Sequence, residues 1–210
     1  MLIRIRELHK QYGKKIILDI PDFCLEKGIY WLRGPNGSGK TTLSKIVAGI
    51  VPARGDIIIR DQLSLSEHPF KYRRVVNFGE AEPQYPGFLT AADLIRFYAE
   101  AKKSAEQQVS ELKDAFGIDP FVHQPCGTYS SGMLKRLSLV LAFIGDPALV
   151  VLDEPVNALD ADAHMVLDQM INRYHKHYNT SFILASHEAI TVACDGYLTI
   201  KNQTLLMDAS

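Results

Sequence analysis

Eight residues, Gly34-Pro35-Asn36-Gly37-Ser38-Gly39-Lys40-Thr41, constrain this chain more than any other stretch. They fit the pattern GxxxxGK[ST] at every fixed position. A strand-like segment, Ile29 to Arg33, precedes them, and a helix-like segment, Leu43 to Ile50, follows. Glycines let the backbone curl until its N–H groups point inward at one anion. The positive end of the following helix adds to the attraction. Lys40 is expected to reach the β- and γ-phosphates of a nucleotide as a point charge. The Thr41 hydroxyl is a hard oxygen ligand suited to Mg2+, and Thr42 follows it on the same turn.

A second segment answers the first. Ala148 to Leu152 is an apolar strand that ends in Asp153-Glu154-Pro155. In a parallel sheet the ligand sits at the carboxyl ends of the strands, so these acids fall where the Gly34 loop would hold a triphosphate. Asp153 is expected to hold Mg2+ through its water shell and Glu154 to polarise an attacking water.

The rest of the chain alternates between strands and helices. Leu2 to Leu8 alternates in period two, Pro21 separates strand-like segments Lys15 to Asp19 and Asp22 to Glu26, and Gly55 to Arg60 and Arg74 to Phe78 also read as strands. The middle is helical. Thr90 to Asp93 forms a capping-box-like start to a helix ending near Lys102. Ser104 with Gln107 starts another, and Ser130 to Ile144 is a third. Strand and helix then alternate through Leu149 to Leu152, Asp160 to His177, Ser181 to Ala185 and a short helix at Glu188 to Cys194. A hairpin of Tyr197 to Ile200 and Thr204 to Met207 follows. This is an α/β pattern with a helical insert.

Composition excludes several classes. The chain has 210 residues, and its 23 basic and 24 acidic side chains nearly balance, so the basic footprint of a dedicated nucleic-acid binder is missing. The most apolar run, Leu137 to Leu152, is broken by Gly145, Asp146 and Pro147 and falls short of a membrane span. Met1 to Glu7 alternates charge with apolar groups, unlike a secretory signal. Cys24, Cys126 and Cys194 form no close pair and are expected to be reduced thiols in a cytoplasmic protein.

Five motifs in order resemble the ATPase subunit of an ATP-binding-cassette (ABC) transporter, over nearly the whole chain. After the phosphate loop, Tyr129-Ser130-Ser131-Gly132-Met133 stands where that family carries its signature, usually Leu-Ser-Gly-Gly-Gln, with Lys135-Arg136 in the usual basic place. Asp153-Glu154 follows, Asn157 to Asp160 resembles the D-loop, and His187 resembles the switch histidine. Tyr12 resembles the aromatic residue that stacks on adenine. The resemblance implies a P-loop NTPase core with an N-terminal antiparallel β region and a helical subdomain. It implies one domain over 1–210, with 1–83 and 141–210 as core and 84–140 as the helical part. It implies ATP and Mg2+ as cofactors and two protomers head to tail. Ser130 and Gly132 of one would close on the γ-phosphate held by the other, while His187 contacts that phosphate and fixes Glu154. It also implies a separate polytopic membrane subunit and a position at the cytoplasmic face of the plasma membrane, with no nucleic acid as partner. Tyr85, Phe88, Phe97 and Tyr98 gather where the family receives the membrane subunit's coupling helix.

The chain departs from the family pattern in three ways. Aligning Tyr85-Pro86 puts Glu80 where a metal-sensing glutamine is usual, with Gln84 as the other candidate. Glu80 is therefore expected, with Thr41 and Asp153, near Mg2+. Ser131 replaces the first signature glycine and Met133 the glutamine; Ser-x-Gly-Met resembles the signatures of some exporter-type ATPases, and that resemblance favours export. The chain is expected to carry no appended regulatory or substrate-sensing domain. Two rival readings are a soluble ABC ATPase working on DNA or ribosomes, and a regulatory subunit that binds ATP without turnover. One cassette, no heptad insert and no basic excess oppose the first, and Glu154 with His187 opposes the second.

Overall fold

The computed structural model describes residues 1–208. It begins with two long strands, β1 (Ile3–Tyr12) and β2 (Lys15–Leu25), then β3 (Ile29–Arg33) and helix α1 (Lys40–Val47). Strands β4 (Arg54–Ile59) and β5 (Leu63–Ser64) follow, then α2 (Pro69–Val75) and β6 (Val76–Gly79). Three helices come next, α3 (Ala91–Lys102), α4 (Glu106–Phe116) and α5 (Ser131–Phe143). The chain continues through β7 (Leu149–Asp153), α6 (Ala161–Tyr178), β8 (Ser181–Ser186), β9 (Gly196–Lys201) and β10 (Thr204–Asp208).

Two sheets result. One has the order β2-β1-β4-β5, and its pairs are antiparallel. The other has the order β10-β9-β3-β8-β7-β6, in which β9, β3, β8, β7 and β6 are parallel and β10 closes a hairpin. Every residue of β7 and β8 is buried, because both faces of this sheet are covered. That explains their unbroken apolar runs. Val150, Leu152, Phe182 and Leu184 point to a core shared with α3, α4, α5 and α6. Leu149, Val151, Ile183 and Ala185 point to the opposite core, filled by α1 and the first sheet.

Helix starts follow their caps. Thr90 Oγ1 accepts from the Asp93 N–H at 3.1 Å and Asp93 Oδ2 accepts from the Thr90 N–H at 3.1 Å, a reciprocal capping box. Ser130 and Asp160 cap α5 and α6 through the N–H groups of Met133 and Ala163. At the far end of α5, buried Asn77 donates to the carbonyls of Ala142 and Ile144 at 2.8 and 2.9 Å, supplying donors that the helix terminus lacks.

Four expectations need correction. Pro21 does not divide two strands; it lies within β2, an edge strand opposite a bulge where Glu7 has φ 49°, so its missing N–H interrupts little pairing. Residues 74–75 finish helix α2, which Pro69 opens and buried Tyr72 anchors by donating to the Val47 carbonyl at 2.7 Å; the strand starts only at Val76. Ser104 does not cap α4. Ala105 holds that position, while the Ser104 hydroxyl bonds the Gln108 side chain. Residues 188–194 form no helix. Their polar groups bond outward: the Glu188 N–H to Ser186 Oγ, and the Thr191 hydroxyl to Asp168 of α6.

Replacing Asn77 by leucine leaves two buried carbonyls without donors. Urea unfolding should show a loss of about 1–3 kcal/mol, whereas an unchanged midpoint would mean that water satisfies the end of α5.

Candidate active site

Parallel register decides what meets at the carboxyl edge of the larger sheet. Arg33 of β3 pairs with Ser186 of β8, and Ala185 of β8 pairs with Asp153 of β7. Three connections therefore leave the sheet side by side: the 34–41 loop from β3, Asp153-Glu154 from β7, and Ser186-His187 from β8.

The 34–41 loop curls through positive φ at Gly34, Gly37 and Gly39, with Gly39 at φ 106° in the position before α1. That conformation, and the side chain of Ile17 only 3.3 Å from where a Cβ would lie, suit Gly39 to glycine. Lys40 is buried and folds over the loop, donating to the carbonyls of Gly34 and Pro35 at 2.6 and 3.2 Å. Pro35, Asn36, Gly37 and Thr41 are exposed, and Ser38 and Thr42 are partly buried.

Asp153 is 1% exposed, and neither carboxylate oxygen has a hydrogen-bond partner. Burial pushes its carboxyl up, the Thr41 hydroxyl opposes the rise, the Glu154 charge adds to it, and Lys135 and Lys45 oppose it. A buried acid with two bare oxygens beside a threonine hydroxyl is a donor set that fits a hard cation with oxygen ligands.

Glu154 is oriented on all sides. Its φ is 43°, an uncommon conformation for a residue with a side chain, and its N–H donates to the Ala185 carbonyl at 2.7 Å. Its Oε2 accepts from Ser186 Oγ at 3.2 Å. Its Oε1 accepts from the His187 N–H at 3.2 Å and from His187 Nδ1 at 2.9 Å. A carboxylate only accepts, so this contact places a proton on Nδ1 of His187 and directs Nε2 away from Glu154.

Other expected site residues lie farther out. Tyr12 is half exposed at the tip of the β1–β2 hairpin, with Lys10 Nζ 4.8 Å from its ring centroid. Ser130 Oγ is engaged by the Met133 N–H at 3.3 Å, and Gly132 packs so closely on the Ala158 carbonyl that a Cβ would lie 3.2 Å from it. Glu80, just after β6, meets a cation: its Oε1 accepts from Lys45 Nζ at 2.5 Å. No three His, Cys, Asp or Glu side chains gather into an ion site among the described residues.

Sequence reading noted Lys135 only as half of a basic pair and gave it no role at the site. It is 2% exposed on α5, and its ammonium donates to the carbonyls of Glu80, Ala81 and Asp153 at 2.9, 3.4 and 3.2 Å. Burial pushes it down to about 8, while Asp153, Glu154 and Glu80 pull the other way. Its position three residues before buried Ser138, in a helix otherwise packed with apolar side chains, was the available signal.

Comparison with known proteins gives the family and the fold. Residues 18–157 match the family described as ABC transporter. A lantibiotic transport ATP-binding protein of Streptococcus pyogenes is 30% identical over 187 residues, covering 89% of this chain and 80% of that one. A zinc import ATP-binding protein of a Wolbachia species is 28% identical over 207 residues, covering 97% and 81%. Among solved structures, the ATP-binding subunit of an ABC transporter superposes with a TM-score of 0.87 at 24% identity, covering 100% of this chain and 90% of that one. A dimeric ATP-binding cassette with ADP and phosphate bound superposes at 0.83 with 18% identity, covering 99% and 98%. At those identities the two structures speak to fold. The chain belongs to the ABC transporter family, as one of its ATP-binding, ATP-hydrolysing cassettes.

Proposed function

We propose that this cassette hydrolyses Mg2+·ATP at the carboxyl ends of β3, β7 and β8 and uses the cycle to drive a separate membrane subunit. The observation that carries the hydrolytic reading is the Glu154 carboxylate, aimed by Ser186 and His187 beside a buried Asp153 whose oxygens are bare. Lys40 and the amides of the 34–41 loop bind the β- and γ-phosphates, and Tyr12 stacks on adenine. Thr41 and Asp153 would hold Mg2+, which would supply charge neutralisation at the phosphates. Glu80, whose carboxylate meets Lys45 in this structure, would sense that metal as a further oxygen donor. Glu154 accepts the proton of the attacking water, and His187 holds Glu154 through Nδ1–H, leaving Nε2, 3.8 Å from Glu188 Oε1 here, to contact the γ-phosphate when ATP binds.

Ser130 and Gly132 serve a second cassette. Their place at the start of α5, with Ser130 exposed, suits a head-to-tail dimer in which one protomer's signature closes the other's phosphate site. ATP then binds the two together and hydrolysis releases them. The segment 84–140 acts as the helical subdomain of each protomer. A groove of about 600 Å3 between α2, α3 and β6, lined by Phe70, Phe97 and Tyr98 together with the charged Arg73, Arg74 and Glu80, suits an amphipathic helix of the membrane subunit. Phe70 and Phe97 are 83% and 67% exposed, more apolar surface than solvent contact alone favours. No described helix is long and apolar enough to cross a membrane. On its family membership we place the cassette's work at the cytoplasmic face. The Ser130-Ser131-Gly132-Met133 signature supports export as the direction.

Glu154→Gln should retain ATP binding and lose turnover at least ~100-fold, as expected for removal of a general base. Wild type and variant turning over at the same rate would remove the hydrolytic role of Glu154. Burial holds the Asp153 carboxyl above its ordinary value, so the native state binds that proton more tightly than the unfolded one. Stability is therefore lost as pH rises through the ordinary carboxylate range and up through the raised value. At pH 7.5, Asp153→Asn should stabilise the nucleotide-free protein by about 0.5–2 kcal/mol and blunt the stabilisation that Mg2+·ATP gives. Thermal melts with and without Mg2+·ATP read both effects, and a variant stabilised by Mg2+·ATP as much as wild type would contradict the metal assignment.

A further inference from the structure

One peptide bond joins Asp153 to Glu154, and the structure grips it from both ends. Its N–H, that of Glu154, donates to the Ala185 carbonyl at 2.7 Å. Its C=O, that of Asp153, accepts from the Lys135 ammonium at 3.2 Å. Asp153 is the last residue of β7, so its carbonyl has left the sheet ladder and needs another donor. Lys135 supplies one, and its remaining two N–H groups reach the carbonyls of Glu80 and Ala81. Buried with all three protons engaged, this lysine has one geometry available to it. It stands on α5, the helix that Ser130 starts.

The same network extends to the phosphate loop. Glu80 donates its own N–H to Ser138 Oγ at 3.2 Å, one turn beyond Lys135 on α5. Its carboxylate holds Lys45 of α1, the helix that begins at Lys40. Lys45 and Lys135 thus face Glu80, Asp153 and Glu154, two cations against three anions, around the Asp153–Glu154 peptide.

We propose that Lys135 is a positioning residue for hydrolysis: its buried ammonium fixes the plane of the Asp153–Glu154 peptide and fastens it to the signature helix and the Glu80 loop. The 43° φ of Glu154 makes this grip matter. A residue in a sparsely populated conformation stays there only when its neighbours hold it. Without the ammonium, the peptide can rotate, and Glu154 leaves the place where Ser186 and His187 aim it.

This inference rests on the role proposed for Glu154, and the test separates the two. Lys135→Met has similar volume, but it takes one member out of a buried charge group and leaves three carbonyls without their donor, so it costs stability as well. It should lower kcat at least tenfold and leave the Kd for a fluorescent ATP analogue without Mg2+ within about threefold of wild type. Lys135→Gln, which still carries two donors, should recover part of kcat, and it stands in for the methionine variant should that one fail to fold. In the Glu154→Gln background either Lys135 substitution should cost less than twofold further, because its effect runs through Glu154. A Lys135→Met protein with kcat within twofold of wild type would overturn the proposal, and so would the same tenfold loss in the Glu154→Gln background. Equal rates of wild type and Glu154→Gln would instead remove the Glu154 role itself.

Discussion

The parallel pairing of β3, β8 and β7 is the constraint on which the site depends. Strands running the same way, in the register Arg33 to Ser186 and Ala185 to Asp153, end at one level. Their three following segments share no sequence neighbourhood, yet they emerge next to one another. A cation-tipped glycine loop, a pair of acids and a serine-histidine pair become one site because a backbone ladder aligns them. The apolar runs of β7 and β8 secure that ladder from both faces. Hydrophobic burial in the middle of the sheet therefore sets the geometry of the charges at its edge.

Those charges are costly in the form seen here. Asp153 is buried without a partner, and Glu154 adopts a conformation that side chains avoid. Both features are what a binding site for a metal and a phosphate would need, and neither helps the fold by itself. The Lys45, Glu80 and Lys135 network offsets part of the electrostatic cost. It also joins the two helices that serve opposite nucleotides in the proposed dimer. Local strain and remote coupling thus trace to the same few side chains.

The phosphate loop and the Asp153-Glu154 pair were legible because their chemistry demands particular residue types at fixed spacings. His187 was legible through its order after β8, and the structure seats it on Glu154 at 2.9 Å. The contacts made by Glu80 were not legible, because its partner Lys45 lies on a helix distant in sequence and nothing local marks the pair. Lys135 was noted as half of a basic pair, but nothing in that pair shows which member turns inward. Arg136 does reach outward, to Asp160, while its neighbour turns into the core. Pro21 and residues 188–194 misled for a related reason. Their conformations are set by an edge position and by bonds to α6, which propensity along the chain does not register.

The central claim is that Asp153 and Thr41 complete a metal site around a nucleotide held by the 34–41 loop. Electron paramagnetic resonance of Mn2+ titrated into the protein with ATP present reads that site without reference to turnover. The account predicts protein-bound Mn2+ that requires ATP, and at least tenfold weaker binding in Asp153→Asn and Thr41→Val. Unchanged Mn2+ binding in both variants would contradict it.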